Sequence, residues 1–141
     1  MTQHKLDDFT KSHGVTVFVP DLKIKAKDKP MSDSEISTLM SKTQNDFRPI
    51  KVVMNVALFH QDKPNQDLKT FSKAFKLQVK FKKKDVDDAK GRGANKLKMA
   101  YWDGGKWVLL AQKDLSALNE AGSIEADITS WAGDPPIALG T

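Results

Sequence analysis

Between Phe75 and Lys82 the chain alternates without a break: Phe75, Leu77, Val79 and Phe81 fall on one parity, and Lys76, Gln78, Lys80 and Lys82 on the other. Successive side chains of a strand point to opposite faces, so this stretch reads as a strand with one buried face and one cationic face turned to water. The pattern recurs. Val15, Val17 and Val19 alternate with Thr16 and Phe18 before Pro20, and Leu22, Ile24 and Ala26 alternate with Lys23, Lys25 and Lys27. Ile124, Ala126 and Ile128 alternate with Glu125, Asp127 and Thr129. Ile50 to Phe59 is the most apolar run, with apolar residues on both parities, which suits a central strand covered on part of each side.

Turn chemistry separates these runs. Lys96–Trp102 and Lys106–Ala111 flank Asp103-Gly104-Gly105, a strong hairpin signal in which positive φ is readily adopted. Gln61 to Lys69, with Pro64 and Asn65, reads as a loop. Ile137 to Leu139 is a last short strand after Pro135 and Pro136, prolines being tolerable only at an edge or at the start of a strand. One short helix is expected from Ser32 to about Lys42, because Ser32 and Glu35 form an S-x-x-E capping box ahead of Ile36, Leu39 and Met40. Lys83 to Asn95 has two glycines and no periodic apolar set; it reads as a long connection with a helical turn at Val86 to Ala89.

Strands in this number without crossover helices predict an all-β fold, an antiparallel β-sandwich of about seven to nine strands with one short helix. At 141 residues the chain suffices for one core, so residues 14–141 are expected to form a single domain and residues 1–13 a mobile N-terminal segment. The expected core comprises Val15, Val17, Val52, Met54, Val56, Leu77, Val79, Phe81, Leu97, Met99, Trp107, Ile124 and Ile128. No apolar run approaches the roughly 20 residues that span a bilayer, and Met1 to Thr10 is too polar for a signal peptide.

With no cysteine, disulfides, thiolate metal sites and cysteine nucleophiles are excluded. His4, His13 and His60 stand in no metal-ligand spacing, no G-x-S-x-G elbow occurs, and the glycines around Arg92 complete no phosphate-binding loop. No catalytic residue, metal or cofactor is therefore expected. Asp85, Asp87 and Asp88 could offer oxygens to calcium, but the glycine and closing glutamate of an EF-hand loop do not follow, and Lys83, Lys84 and Lys90 would repel a cation. A solvated loop is the simpler reading.

The net charge of +5 conceals a division: residues 1–68 sum to +1, residues 69–98 to +8 and residues 99–141 to −4. The basic middle could attract a polyanion, or the two ends of the dipole could attract each other within one surface. The candidate ligand-binding residues are accordingly Lys76, Lys80, Lys82, Lys83, Lys84 and Arg92. Because Phe75 and Phe81 lie on the buried parity, the aromatic platform usual for nucleic acid is missing from that face. Tyr101, Trp102, Trp107 and Trp131 raise a second possibility, carbohydrate stacking, with Trp102 the candidate because it takes the parity opposite to Leu97 and Met99.

Two segments carry a resemblance. Phe71-Ser72-Lys73-Ala74-Phe75-Lys76-Leu77 resembles an F-S-K-P strand opening, with Ala74 in the proline position, and Tyr101-Trp102-Asp103-Gly104-Gly105-Lys106-Trp107-Val108-Leu109-Leu110 resembles a Y-W-D-G-x-W-V-P-L hairpin, with Leu109 for proline. Together with the strands at Ile124 to Ile128 and Ile137 to Gly140, the pattern is similar to that of immunoglobulin-like sandwich modules of bacterial and archaeal secreted or envelope proteins, and distantly to the sandwich modules of ankyrins and netrin receptors. The resemblance implies a structural or binding module of an exported, extracytoplasmic protein. Its role would be adhesion or contact with a protein partner or neighbouring domain, with no catalytic set. A cytosolic partner-binding domain is the alternative.

Overall fold

A computed structural model describes residues 4–6, 14–28, 30–66, 68, 70–131 and 135–141. In chain order they form β1 (His4–Leu6), β2 (Val15–Val19), β3 (Ile24–Asp28), α1 (Asp33–Met40), β4 (Pro49–His60), β5 (Thr70–Phe81), α2 (Lys83–Gly91), β6 (Lys96–Trp102), β7 (Trp107–Asp114), β8 (Gly122–Ser130) and β9 (Pro136–Gly140). Among the described residues the fold is thus mostly β, two antiparallel sheets with two short helices. In one sheet the long strands run β2-β5-β8, with the three-residue β1 added at the β2 edge. In the other the order is β3-β4-β9-β6-β7. His4–Leu6, within the segment expected to stand apart, pairs with β2; the remainder of residues 1–13 lies outside the described residues. No helix among the described residues is long and apolar enough to cross a membrane.

Register turns alternation into a core. Val15 pairs with Val79 and Val79 with Ile124, while Val17 pairs with Leu77 and Leu77 with Ala126, so whole rows of apolar side chains share the inner face. The facing sheet supplies Met54, Val56, Leu58, Leu97, Met99, Ile137 and Leu139. Trp131 closes this layer: its indole N–H donates to the Val56 carbonyl at 2.9 Å, and its ring meets Tyr101 and Phe75.

A second, smaller core lies on the outer face of the five-stranded sheet. There Leu39 of α1, Phe47, Ala100, Trp107 and Ala138 pack together, with Val52 and Trp102 at their margin. Trp107 and Val52 were expected between the sheets and are found here instead. Trp102 and Trp107 are direct cross-strand partners about the turn Asp103 to Lys106, and residues opposed across a ladder must share a face. Once Trp102 takes the outer parity, Trp107 follows. For Val52 the cause is its pairing with outward-facing Ala138, just before a bulge in β4.

The helices divide likewise. The expected capping box of α1 is present: the Ser32 hydroxyl accepts from Glu35 N–H at 3.1 Å and Ser32 N–H donates to the Glu35 carboxylate at 3.4 Å. The stretch expected to be a long connection with a helical turn at Val86 to Ala89 contains that turn within a longer helix, α2. Only Val86 and Ala89 give it an apolar stripe, yet both are fully buried, and the Asp85 carboxylate caps its first turn by accepting from Lys82 N–H at 2.8 Å. The strand expected from Phe75 begins earlier, at Thr70. In the hairpin turn only Gly104 has positive φ, at 101°. Asp103 Oδ1 holds the turn by accepting from Gly105 and Lys106 N–H, and these bonds set its carboxyl below the ordinary 3.8.

Candidate functional site

Lys76 and Lys80 of β5 share its outer face, but the fold treats them differently. Lys76 lies 3.7 Å from Glu125 on the adjacent strand, and Glu125 also accepts from the Gln78 amide at 2.6 Å. Lys83 pairs with Asp87 one helical turn on, at 2.9 Å. Lys96, also from the basic middle, pairs with Asp114 across the β6–β7 ladder. Part of the basic middle is therefore paired with the acidic end, once on each sheet. Lys80, Lys82 and Lys84 are exposed, and among the described residues their ammonium groups have no carboxylate partner.

Arg92 has a different position. Its guanidinium donates to the carbonyls of Arg48 at 2.9 Å and Pro49 at 2.8 Å and to the Thr141 hydroxyl at 3.3 Å, tying the end of α2 to the start of β4. Trp102 is remote from all of these. It stands on the outer face of the five-stranded sheet, half-buried, with its ring 5.3 Å from that of Trp107 in an edge-to-face arrangement. The indole N–H groups of Trp107 and Trp131 both bond to backbone carbonyls, so these rings act as packing residues.

An open cleft of about 880 Å³ brings two of these lysines, Lys80 and Lys82, together with apolar surface; Lys84 does not line it. Lys51, Val52 and Val53 of β4 line one side, and Lys80, Phe81 and Lys82 the other. No aspartate or glutamate lines it among the described residues. The Lys51 ammonium donates to Asp85 Oδ2 at 2.7 Å; the lysine is one-third exposed, the aspartate almost fully buried. Among the described residues, Lys80 and Lys82 thus leave an uncompensated positive charge at the rim. In the sequence Lys51 stands out only as a lone cation between Ile50 and Val52 of an apolar strand.

The other candidates do not converge. Asp85 points inward to Lys51 and the Lys82 N–H, and Asp87 pairs with Lys83, while Asp88 is exposed. No three metal-ligating side chains come together among the described residues. His60 ends β4, where its Nδ1 accepts from Asp62 N–H at 3.2 Å; the side chains of His4 and His13 lie outside the described residues. Chemically, the cleft offers cations over an apolar floor, an arrangement that attracts and holds anions through charge in a partly desolvated setting. No protein-family model matches the chain, and neither the curated proteins nor the solved structures contain a significant match.

Proposed function

We propose that this domain is a non-catalytic binding module that holds an anionic partner, on a protein or neighbouring domain, in the cleft between β4 and the β5–α2 corner. One observation carries the reading: among the described residues, Lys80 and Lys82 stand without a carboxylate partner beside Val53 and Phe81 in a cleft whose lining holds no carboxylate. Lys76, on the same strand, has an acidic neighbour in Glu125. The immunoglobulin-like assignment, and with it an extracytoplasmic adhesive role, draws support from the antiparallel two-sheet architecture and the β6–β7 hairpin. The place of β9 between β4 and β6 departs from it, because the final immunoglobulin strand is a sheet edge.

The test is binding of fluorescent heparin, a soluble polyanion, followed by anisotropy at about 25 mM and about 200 mM salt. Binding should be salt-dependent and should fall at least about tenfold in a Lys80→Glu, Lys82→Glu variant. It should be unchanged by Lys106→Glu, at the far hairpin tip. Equal loss from both variants would reduce the effect to net charge, and absence of binding at low salt would remove the proposal.

A further inference from the structure

The partner's form can be read from the strand that floors the cleft. β3 pairs with β4 only from Val56 to His60, whereas β9 covers the other side of β4 from Pro49 to Asn55. Over Pro49 to Asn55, then, β4 has a neighbour on one side alone among the described residues. An open strand edge presents backbone donors and acceptors in a row and is a template for another strand. The start of this edge is already engaged, since Arg92 donates to the Pro49 carbonyl at 2.8 Å. At its other end the Asn55 Oδ1 is buried without a hydrogen-bond partner. Between them, Val53 is the extra residue of a bulge and has no partner on β9.

Lys51, Val52 and Val53, the middle of the open edge, are the residues that line the cleft opposite Lys80 and Lys82. We infer that the cleft takes an extended acidic polypeptide segment, which adds to β4 along Lys51 to Asn55 and sets its carboxylates against Lys80 and Lys82. This inference rests on the proposed function and specifies its partner. The main chain would supply affinity, and side chains at alternate positions specificity, as in strand addition generally. Five residues at about 3.4 Å each give a contact about 17 Å long, so the recognised segment is short.

The test uses a capped peptide of alternating glutamate and valine, about eight residues long, and the same peptide N-methylated through its central residues so that its backbone cannot donate. At about 25 mM salt the unmodified peptide should bind, and the methylated one should bind at least about tenfold more weakly. Amide hydrogen exchange within Lys51–Asn55 should slow on binding. In the Lys80→Glu, Lys82→Glu variant the peptide should be lost while that variant's own exchange pattern in β4 stays native. Equal binding of both peptides, or unchanged exchange at Lys51–Asn55, would overturn strand addition while leaving the anion-binding cleft in place. Heparin binding without peptide binding would also overturn it and favour a nucleic-acid or glycan polyanion. If neither probe binds, the proposed function fails together with this inference.

Discussion

Trp107 fastens the α1 layer to the outer face of the five-stranded sheet, and its removal should loosen that layer before the inter-sheet core. The side chain is almost wholly buried. Its indole N–H donates to the Lys42 carbonyl at 2.7 Å, its backbone N–H donates to Gln44 Oε1 at 2.9 Å, and its ring lies 5.1 Å from Phe47. Burying about 150–250 Å² of ring at about 25 cal/mol per Å² contributes about 4–6 kcal/mol. Measured truncations of buried tryptophan to alanine cost about 3–5 kcal/mol, so about 4 kcal/mol is expected for Trp107→Ala. Trp107→Phe keeps the aromatic packing but orphans the Lys42 carbonyl near solvent, at a cost of about 1–2 kcal/mol. In a domain of this size about 4 kcal/mol lowers Tm by about 8–16 °C. Urea unfolding followed by circular dichroism would give the free energies, and amide exchange would show α1 opening ahead of β5. A loss of under about 1 kcal/mol for Trp107→Ala, or unchanged exchange in α1, would falsify the claim that this indole anchors the layer.

Val79 is fully buried where β2, β5 and β8 meet, so Val79→Asp should cost several kcal/mol, on the order of the penalty for an unpaired buried charge, and unchanged thermal stability would refute the register. Two glycines should differ in tolerance. A Cβ at Gly140 would overlap the backbone carbonyl of Arg48, whereas one at Gly122 would meet the Phe81 ring at 2.9 Å. Gly140→Ala should therefore be the more damaging in a melting comparison, because a ring can shift where a paired strand cannot. Lys51→Met should cost about 2 kcal/mol by leaving the Asp85 carboxylate with the Lys82 N–H, and a double-mutant cycle with Asp85→Asn should show coupling between the two. The depressed carboxyl of Asp103 stabilises the hairpin fully above its ordinary 3.8, and this contribution is lost as pH falls through the lowered value. The stability gap between wild type and Asp103→Ala, measured by urea titration, should accordingly be present at neutral pH and close in strong acid.

The strands were legible because each carries its burial in its parity. Val15–Val17–Val19, Leu77–Val79–Phe81 and Ile124–Ile128 all face inward as the alternation requires. Helix α1 was legible from its capping box. Helix α2 was legible only as a turn at Val86 to Ala89, because Lys83 to Gly91 holds only two apolar core residues and an aspartate whose capping role depends on turning inward to meet Lys51. Outer-face packing was equally hidden: nothing local to Trp107 says that α1 and Phe47 will cover its face. Of the candidate residues, charge density gathered Lys76 and Arg92 together with Lys80 and Lys82, although the partners of the first two lie far along the chain, while the pairing of Lys83 with Asp87, one turn on, needs α2 to form. Lys51 and the open stretch of β4 became visible only from the unequal reach of β3 and β9.

The position of β9 also governs the order in which this protein can be completed. β3 with β4, and β6 with β7, can pair as soon as each emerges during synthesis, yet the sheet joins only when Pro136–Gly140 inserts between them. Until then two strand edges with apolar faces wait open toward each other, and the corresponding strand of a second molecule would fit them equally well. β9 is thus the keystone of its sheet, and a nascent chain delayed short of it is exposed to strand exchange with its neighbours.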